Sequence, residues 1–238
     1  MRAAKNPHTH KTPSISDNPP SKKLILIGHY NLANYLTLLG LLFSLASCCF
    51  ALMGTLKTAV VCLMIAGICD LFDGFVARKI TRTDAAKAFG VQLDTVADVV
   101  SFGMTPIIIA FATVSAAWYA LIIYGFYILC AVIRLAYYNT TAPDPANPDP
   151  SNPDHPIPEP PPPPNPRPAS HYRGLPVTYI ALILPVVLLF AAEWASLSAL
   201  AAVGVLYVLN IGIPKPKGVW YAIFPALAVL LILIWCLR

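Results

Sequence analysis

TAVVCLMIAGICDLFDGFVARKITRTDAAKAFGVQLDTVADVVSFGMTPIIIAFAT, residues 58–113, decides how this chain folds. Two long apolar runs, 58–78 and 91–113, flank a short basic linker. Each run carries two aspartates at its linker end: Asp70 and Asp73, then Asp94 and Asp98. A bilayer-spanning helix needs about 20 mostly apolar residues, and both runs meet that length. Asp70 and Asp73 are spaced i, i+3, and Asp94 and Asp98 i, i+4. Each pair therefore shares one face of its helix. A hairpin of two such helices brings both pairs to one depth.

Working outward, the same apolar character fills the chain. Hydrophobic residues make up 57% and charged residues 11% of the 238 positions. A soluble domain carries about 25% charged residues, so an ordinary cytosolic fold is excluded, as is a charge-rich disordered chain. Apolar segments of spanning character occur at about 32–54, 58–78, 91–113, 117–139, 174–192, 195–211 and 218–237. Glu193 and Trp194 read as an interfacial turn between the fifth and sixth. The expected fold class is an all-α polytopic membrane protein.

Basic residues set the expected orientation through the positive-inside rule. With the N-terminus in the cytoplasm, every Lys and Arg except Lys57 and Arg238 falls on the cytoplasmic side. The net charge of +5 is thus a topology signal, and no nucleic-acid partner is expected. Residues 1–23 are polar, so no secretory signal is expected. All six cysteines lie in apolar runs without a Cys-x-x-Cys pair, and no histidine falls in such a run. A zinc site or disulfide framework is not expected. Residues 143–168 hold more than half of the 24 prolines. Proline lacks an amide donor and fixes φ, so a polyproline-like or disordered cytoplasmic loop is expected there. The chain divides into a polar tail (1–30), helices 1–4 (31–139), the proline-rich loop (140–172) and helices 5–7 (173–238).

The 11 acids are the sharper clue. Four lie in the proline loop, and Asp17, Asp84 and Glu193 are scattered. The remaining four are the two helix-end pairs. An Asp at mid-span costs roughly 2.5–3.5 kcal/mol on insertion scales, so four of them need a compensating partner. Convergent carboxylates suit one or two hard divalent cations. Arg78, Lys79, Arg82 and Lys87 lie beside them. Carboxylates, metal and cations together describe a site for a phosphate-bearing substrate. Gly74, Ala77 and Gly90 extend the acidic faces with small residues that permit close approach.

This stretch resembles the signature of the CDP-alcohol phosphatidyltransferases, DxxDGxxAR followed by GxxxDxxxD. All eight fixed positions match, from Asp70 to Asp98. The linker of eleven residues between Arg78 and Gly90 is longer than the family's pattern, with the excess in the loop TRTDAAKAF. Downstream, DTVADVVSFGMTP (94–106), RLAYYN (134–139) and YRGLP (172–176) resemble blocks of the phosphatidylserine synthase branch. Asn34 and Thr37 resemble the Asn-x-x-Thr opening of the first family helix.

The resemblance implies a six-helix family core with at least one extra C-terminal transmembrane helix, and a homodimer. It implies phosphatidyl transfer from CDP-diacylglycerol to L-serine at the cytoplasmic face, among membrane lipids. Asp70, Asp73, Asp94 and Asp98 would hold Mg²⁺ or Mn²⁺, with Asp98 as general base. Asn34, Thr37, Gly74, Ala77, Arg78 and Gly90 would bind CDP-diacylglycerol. Serine's carboxylate needs a cation, for which Arg134 and Arg173 are the candidates. Alternatives are the same chemistry with glycerol 3-phosphate, inositol phosphate or an archaeal lipid substrate as acceptor. A different class is a cation-coupled transporter, whose acids would be spread through the bilayer depth.

Overall fold

The computed structural model describes residues 27–114, 118–141, 171–190, 193–210, 212–214 and 220–237. The N-terminal tail before residue 27 and the proline-rich loop lie outside the described residues. Among the described residues the fold is helical apart from one small ribbon. The helices are α1 (Leu32–Leu52), α2 (Leu56–Lys79), α3 (Asp84–Asp98), α4 (Thr105–Thr113), α5 (Trp118–Thr141), α6 (Ile180–Phe190), α7 (Glu193–Val208) and α8 (Trp220–Leu237). A π-helical turn, Val99–Met104, joins α3 to α4 without a break. A 3₁₀ turn, Val177–Tyr179, leads into α6. Strands β1 (His171–Arg173) and β2 (Gly212–Pro214) pair antiparallel, with Tyr172 opposite Ile213.

Among the described residues, four helical stretches are long and apolar enough to cross a membrane: Leu32–Leu52, Leu56–Lys79, Asp84–Thr113 and Trp118–Thr140. Their length and apolarity make this an integral membrane protein. Three of the seven expected segments fold as shorter apolar helices, Val177–Phe190, Trp194–Val208 and Ile223–Leu237. Three boundaries differ from the sequence reading. The third segment begins at Asp84, because the Thr83 hydroxyl caps the Ala86 amide at 3.3 Å. Most of the long linker is therefore helix, leaving 80–83 as loop. The fifth is helical only from Val177, because Gly174 at φ +75° and the extended Pro176 hold the preceding chain in a turn. Glu193 opens α7 and so lies inside a helix.

Packing of small residues positions the site. α1 lies along α2, where Gly40 faces Cys69 so closely that an added Cβ would stand 3.2 Å from the Cys69 Cβ. α2 meets α6 at Gly67, whose added Cβ would stand 2.8 Å from that of Ala181. Without a hydrophobic drive between helices in lipid, such close backbone contact is what holds them together. Asn31 starts α1 by accepting the Asn34 amide at 3.0 Å. Arg78 and Lys79 end α2, where cations meet the negative end of the helix dipole.

Candidate active site

Three of the four intramembrane acids converge. Asp70, Asp73 and Asp94 each offer a carboxylate oxygen within 4.8 Å of the other two. Asp98 lies against Asp70, and Arg134 of α5 stands within electrostatic reach of the same carboxylate. All four acids line one cavity of about 220 Å³ together with Gly74, Arg78 and Arg134. The i, i+3 and i, i+4 spacings thus bring both pairs, from α2 and α3, to the lining of one space.

Neutral donors hold two of the carboxylates. The Thr37 hydroxyl donates to Asp73 Oδ2, joining α1 to α2. The Thr178 hydroxyl donates to Asp70 Oδ2 at 2.7 Å. Asp70 is also hydrogen-bonded to Asp98. Asp94 Oδ1 is buried and has no hydrogen-bond partner among the described residues. Burying a carboxylate oxygen without a donor is costly. A cluster of hard oxygen donors with an orphaned member fits a hard divalent cation.

Other sequence-singled residues divide. Gly74 faces open space: an added Cβ would meet nothing nearer than Arg78 Nη1 at 3.8 Å. Arg134 is 8% exposed, with its guanidinium 5.1 Å from the Tyr138 ring centroid. Asn34, Ala77 and Gly90 gather around Arg82 instead. Arg82 Nη2 donates to the Ala77 carbonyl at 3.0 Å. An added Cβ on Gly90 would press on Arg82 Nη1 at 3.1 Å and Asn34 Oδ1 at 3.2 Å. Asn34 Nδ2 donates to the His29 carbonyl at 2.6 Å. Asn34 therefore ties the segment before α1 to this cluster. Arg173 is the last residue of β1, opposite Gly212, and its side chain lies outside the described residues.

Thr178 is the residue that sequence reasoning missed. It is uncharged and 108 positions from its partner, Asp70. The only local signal is its place just after the Gly-Leu-Pro element at 174–176. Thr178→Val keeps the shape and removes the donor. Partners that orient a metal-binding carboxylate typically change affinity 10–100-fold. Mn²⁺ titration of the purified variant is expected to show weakening by at least about tenfold, and unchanged affinity would refute the orienting role.

Helices that cross a membrane and an acidic cavity fitted to divalent ions define an integral membrane protein with an intramembrane metal-type site. The sequence profile described as CDP-alcohol phosphatidyltransferase matches residues 30–209. The chain belongs to that family. Its relatives include CDP-diacylglycerol–serine O-phosphatidyltransferase of Mycobacterium tuberculosis, 33% identical over 114 residues, or 48% of this chain and 39% of that protein. The enzyme of the same name from Saccharomyces cerevisiae is 42% identical over 76 residues, 32% of this chain and 26% of that one. Archaetidylserine synthase of Methanothermobacter thermautotrophicus is 27% identical over 168 residues, 69% of this chain and 61% of that one. The match spans about two fifths of the length of the mycobacterial relatives.

Proposed function

We propose that the chain transfers a phosphatidyl group from CDP-diacylglycerol to the hydroxyl of L-serine, giving phosphatidylserine and CMP. One observation carries this reading: two carboxylate pairs and two arginines share one cavity in a chain of this family. The names of the bacterial, yeast and archaeal relatives agree on serine while differing in the lipid, which favours serine over a phosphorylated acceptor.

Asp98 acts as general base and takes the proton from the serine hydroxyl as its oxygen bonds to the phosphatidyl phosphorus. The bond from that phosphorus to the CMP phosphate oxygen breaks, and CMP leaves with the electron pair. Mg²⁺ or Mn²⁺ held by Asp70, Asp73 and Asp94, with Asp98 completing the set, would neutralise charge on the diphosphate and the leaving CMP. Arg78 contacts phosphate through charge-assisted hydrogen bonds. Gly74 leaves the room beside it that a diphosphate requires. Thr37 holds Asp73, while Asn34, Ala77 and Gly90 shape the nucleotide end. Arg134, with Arg173 from β1, takes the serine carboxylate.

The basic residues around the α2–α3 linker, Arg78, Lys79, Arg82 and Lys87, favour a cytoplasmic site under the positive-inside rule, with lipid tails kept in the bilayer. The division into tail, helices 1–4, proline-rich loop and helices 5–7 is part of the same reading, as is a homodimeric assembly.

The deciding assay is CMP release from CDP-diacylglycerol by the purified chain. Release is expected only with L-serine and with Mg²⁺ or Mn²⁺ restored after chelation. Equal release with glycerol 3-phosphate would sink the serine assignment, and full activity in excess chelator would sink the metal.

A further inference from the structure

The active cavity has one wall from outside the family match. That match ends at residue 209, yet Phe224 of α8 lines the cavity. Phe224 stands edge-on to Tyr179, with ring centroids 5.8 Å apart at 69°. Its ring tip lies 3.7 Å from where a Cβ on Gly67 would be. At that distance the ring packs against α2 in ordinary van der Waals contact at the level of Gly67.

Depth gives the wall a meaning. Gly67 precedes Asp70 by three residues and Arg78 by eleven, which is roughly 4.5 Å and 16 Å along α2. Arg78 marks the interfacial end of that helix. Phe224 therefore lies on the bilayer-centre side of the carboxylates. Tyr179, edge-on to Phe224, lines the cavity there, while Arg78, eleven residues on from Gly67, lines it toward the interface. The cavity thus has an apolar end toward the bilayer centre. A diphosphate held at the acids with its nucleotide toward Arg78 must send its lipid past this wall.

We propose that Phe224 is a specificity-determining residue for the lipid part of the donor, packing against its glycerol backbone and the first carbons of its chains. The inference rests on the proposed reaction only for the identity of that donor. α8 then adds to the family core a selectivity element for the lipid and leaves the nucleotide alone.

The test compares binding of CDP-diacylglycerol in bilayer nanodiscs with binding of free CDP, for the parent chain, Phe224→Ala and Phe224→Leu. Losing roughly 55 Å² of apolar contact weakens binding about tenfold. Phe224→Ala is expected to weaken CDP-diacylglycerol by about that factor, with CDP unchanged within about twofold. Phe224→Leu, which keeps apolar bulk, is expected to recover most of the loss. Equal weakening of both ligands, or of neither, overturns the proposal. Both constants are binding constants, so a parent chain that binds but releases no CMP overturns the reaction while the same comparison still decides the wall.

Discussion

Asp98→Asn is expected to lower turnover about 10²–10⁴-fold, the usual contribution of a positioned base. Asparagine keeps the shape of the side chain and its contact with Asp70. It has no basic oxygen to take the proton of the proposed serine acceptor. The other three acids, whose oxygens gather within 4.8 Å, remain in place. Binding of CDP should therefore change little while CMP release collapses. This split separates a base from a purely structural acid, whose loss would weaken both. Single-turnover CMP release and CDP binding on the same preparation check it. An Asp98→Asn enzyme that turns over at the parent rate refutes the assigned base. Loss of nucleotide binding equal to the loss of rate would instead make Asp98 chiefly a metal ligand.

The acids were legible in the sequence because charge in an apolar run is rare and its spacing is a geometric statement. Asp70 and Asp73 on one helix, Asp94 and Asp98 on the next, had to share a depth once the linker was short. Arg134 was legible for the same reason, as a charge at the end of an apolar run. Thr178 and Phe224 were not. A threonine or a phenylalanine in a membrane helix carries no mark that separates an active-site wall from a lipid-facing surface. Only the packing of α6 and α8 against α2 brings them to the cavity lining. The π-helical turn after Asp98 left no pattern either. Its extra residue loosens the backbone pairing, and side chains answer for it. Tyr127 donates to the Phe102 carbonyl at 2.6 Å, and Thr105 to the Val100 carbonyl at 3.0 Å. Such turns often sit at functional sites, and this one follows directly on Asp98. Asn34 and Gly90 carried a family motif, yet in the fold they gather around Arg82 rather than around the acids.

Gly174→Ala is expected to cost both stability and activity, by a route that runs from a turn to the acids. Gly174 has φ +75°, a conformation glycine adopts freely and alanine does not. An added Cβ would also stand 2.5 Å from the Tyr207 carbonyl oxygen, which is backbone at the end of α7 and cannot swing away. The next residue is tied to the same helix end, because the Leu175 amide donates to the Leu206 carbonyl at 3.2 Å. Either the turn or α7 must therefore move. The Tyr207 hydroxyl donates to the Val177 carbonyl at 3.0 Å and lies 3.3 Å from the Tyr127 hydroxyl. Val177 is followed by Thr178, which holds Asp70. A shift at Gly174 thus reaches the metal-type cluster through three consecutive contacts. Backbone strain of this kind costs about 1–3 kcal/mol, which predicts a lowered unfolding temperature in detergent. Activity should fall further than the folded fraction, because the folded molecules hold Asp70 less firmly. Tyr207→Phe supplies the control: it removes the hydroxyl without moving the turn, so it should lower activity and Mn²⁺ affinity with a smaller loss of stability. A Gly174→Ala protein with parent stability would show that the turn relaxes freely, and parent activity in Tyr207→Phe would cut the link from α7 to the acids.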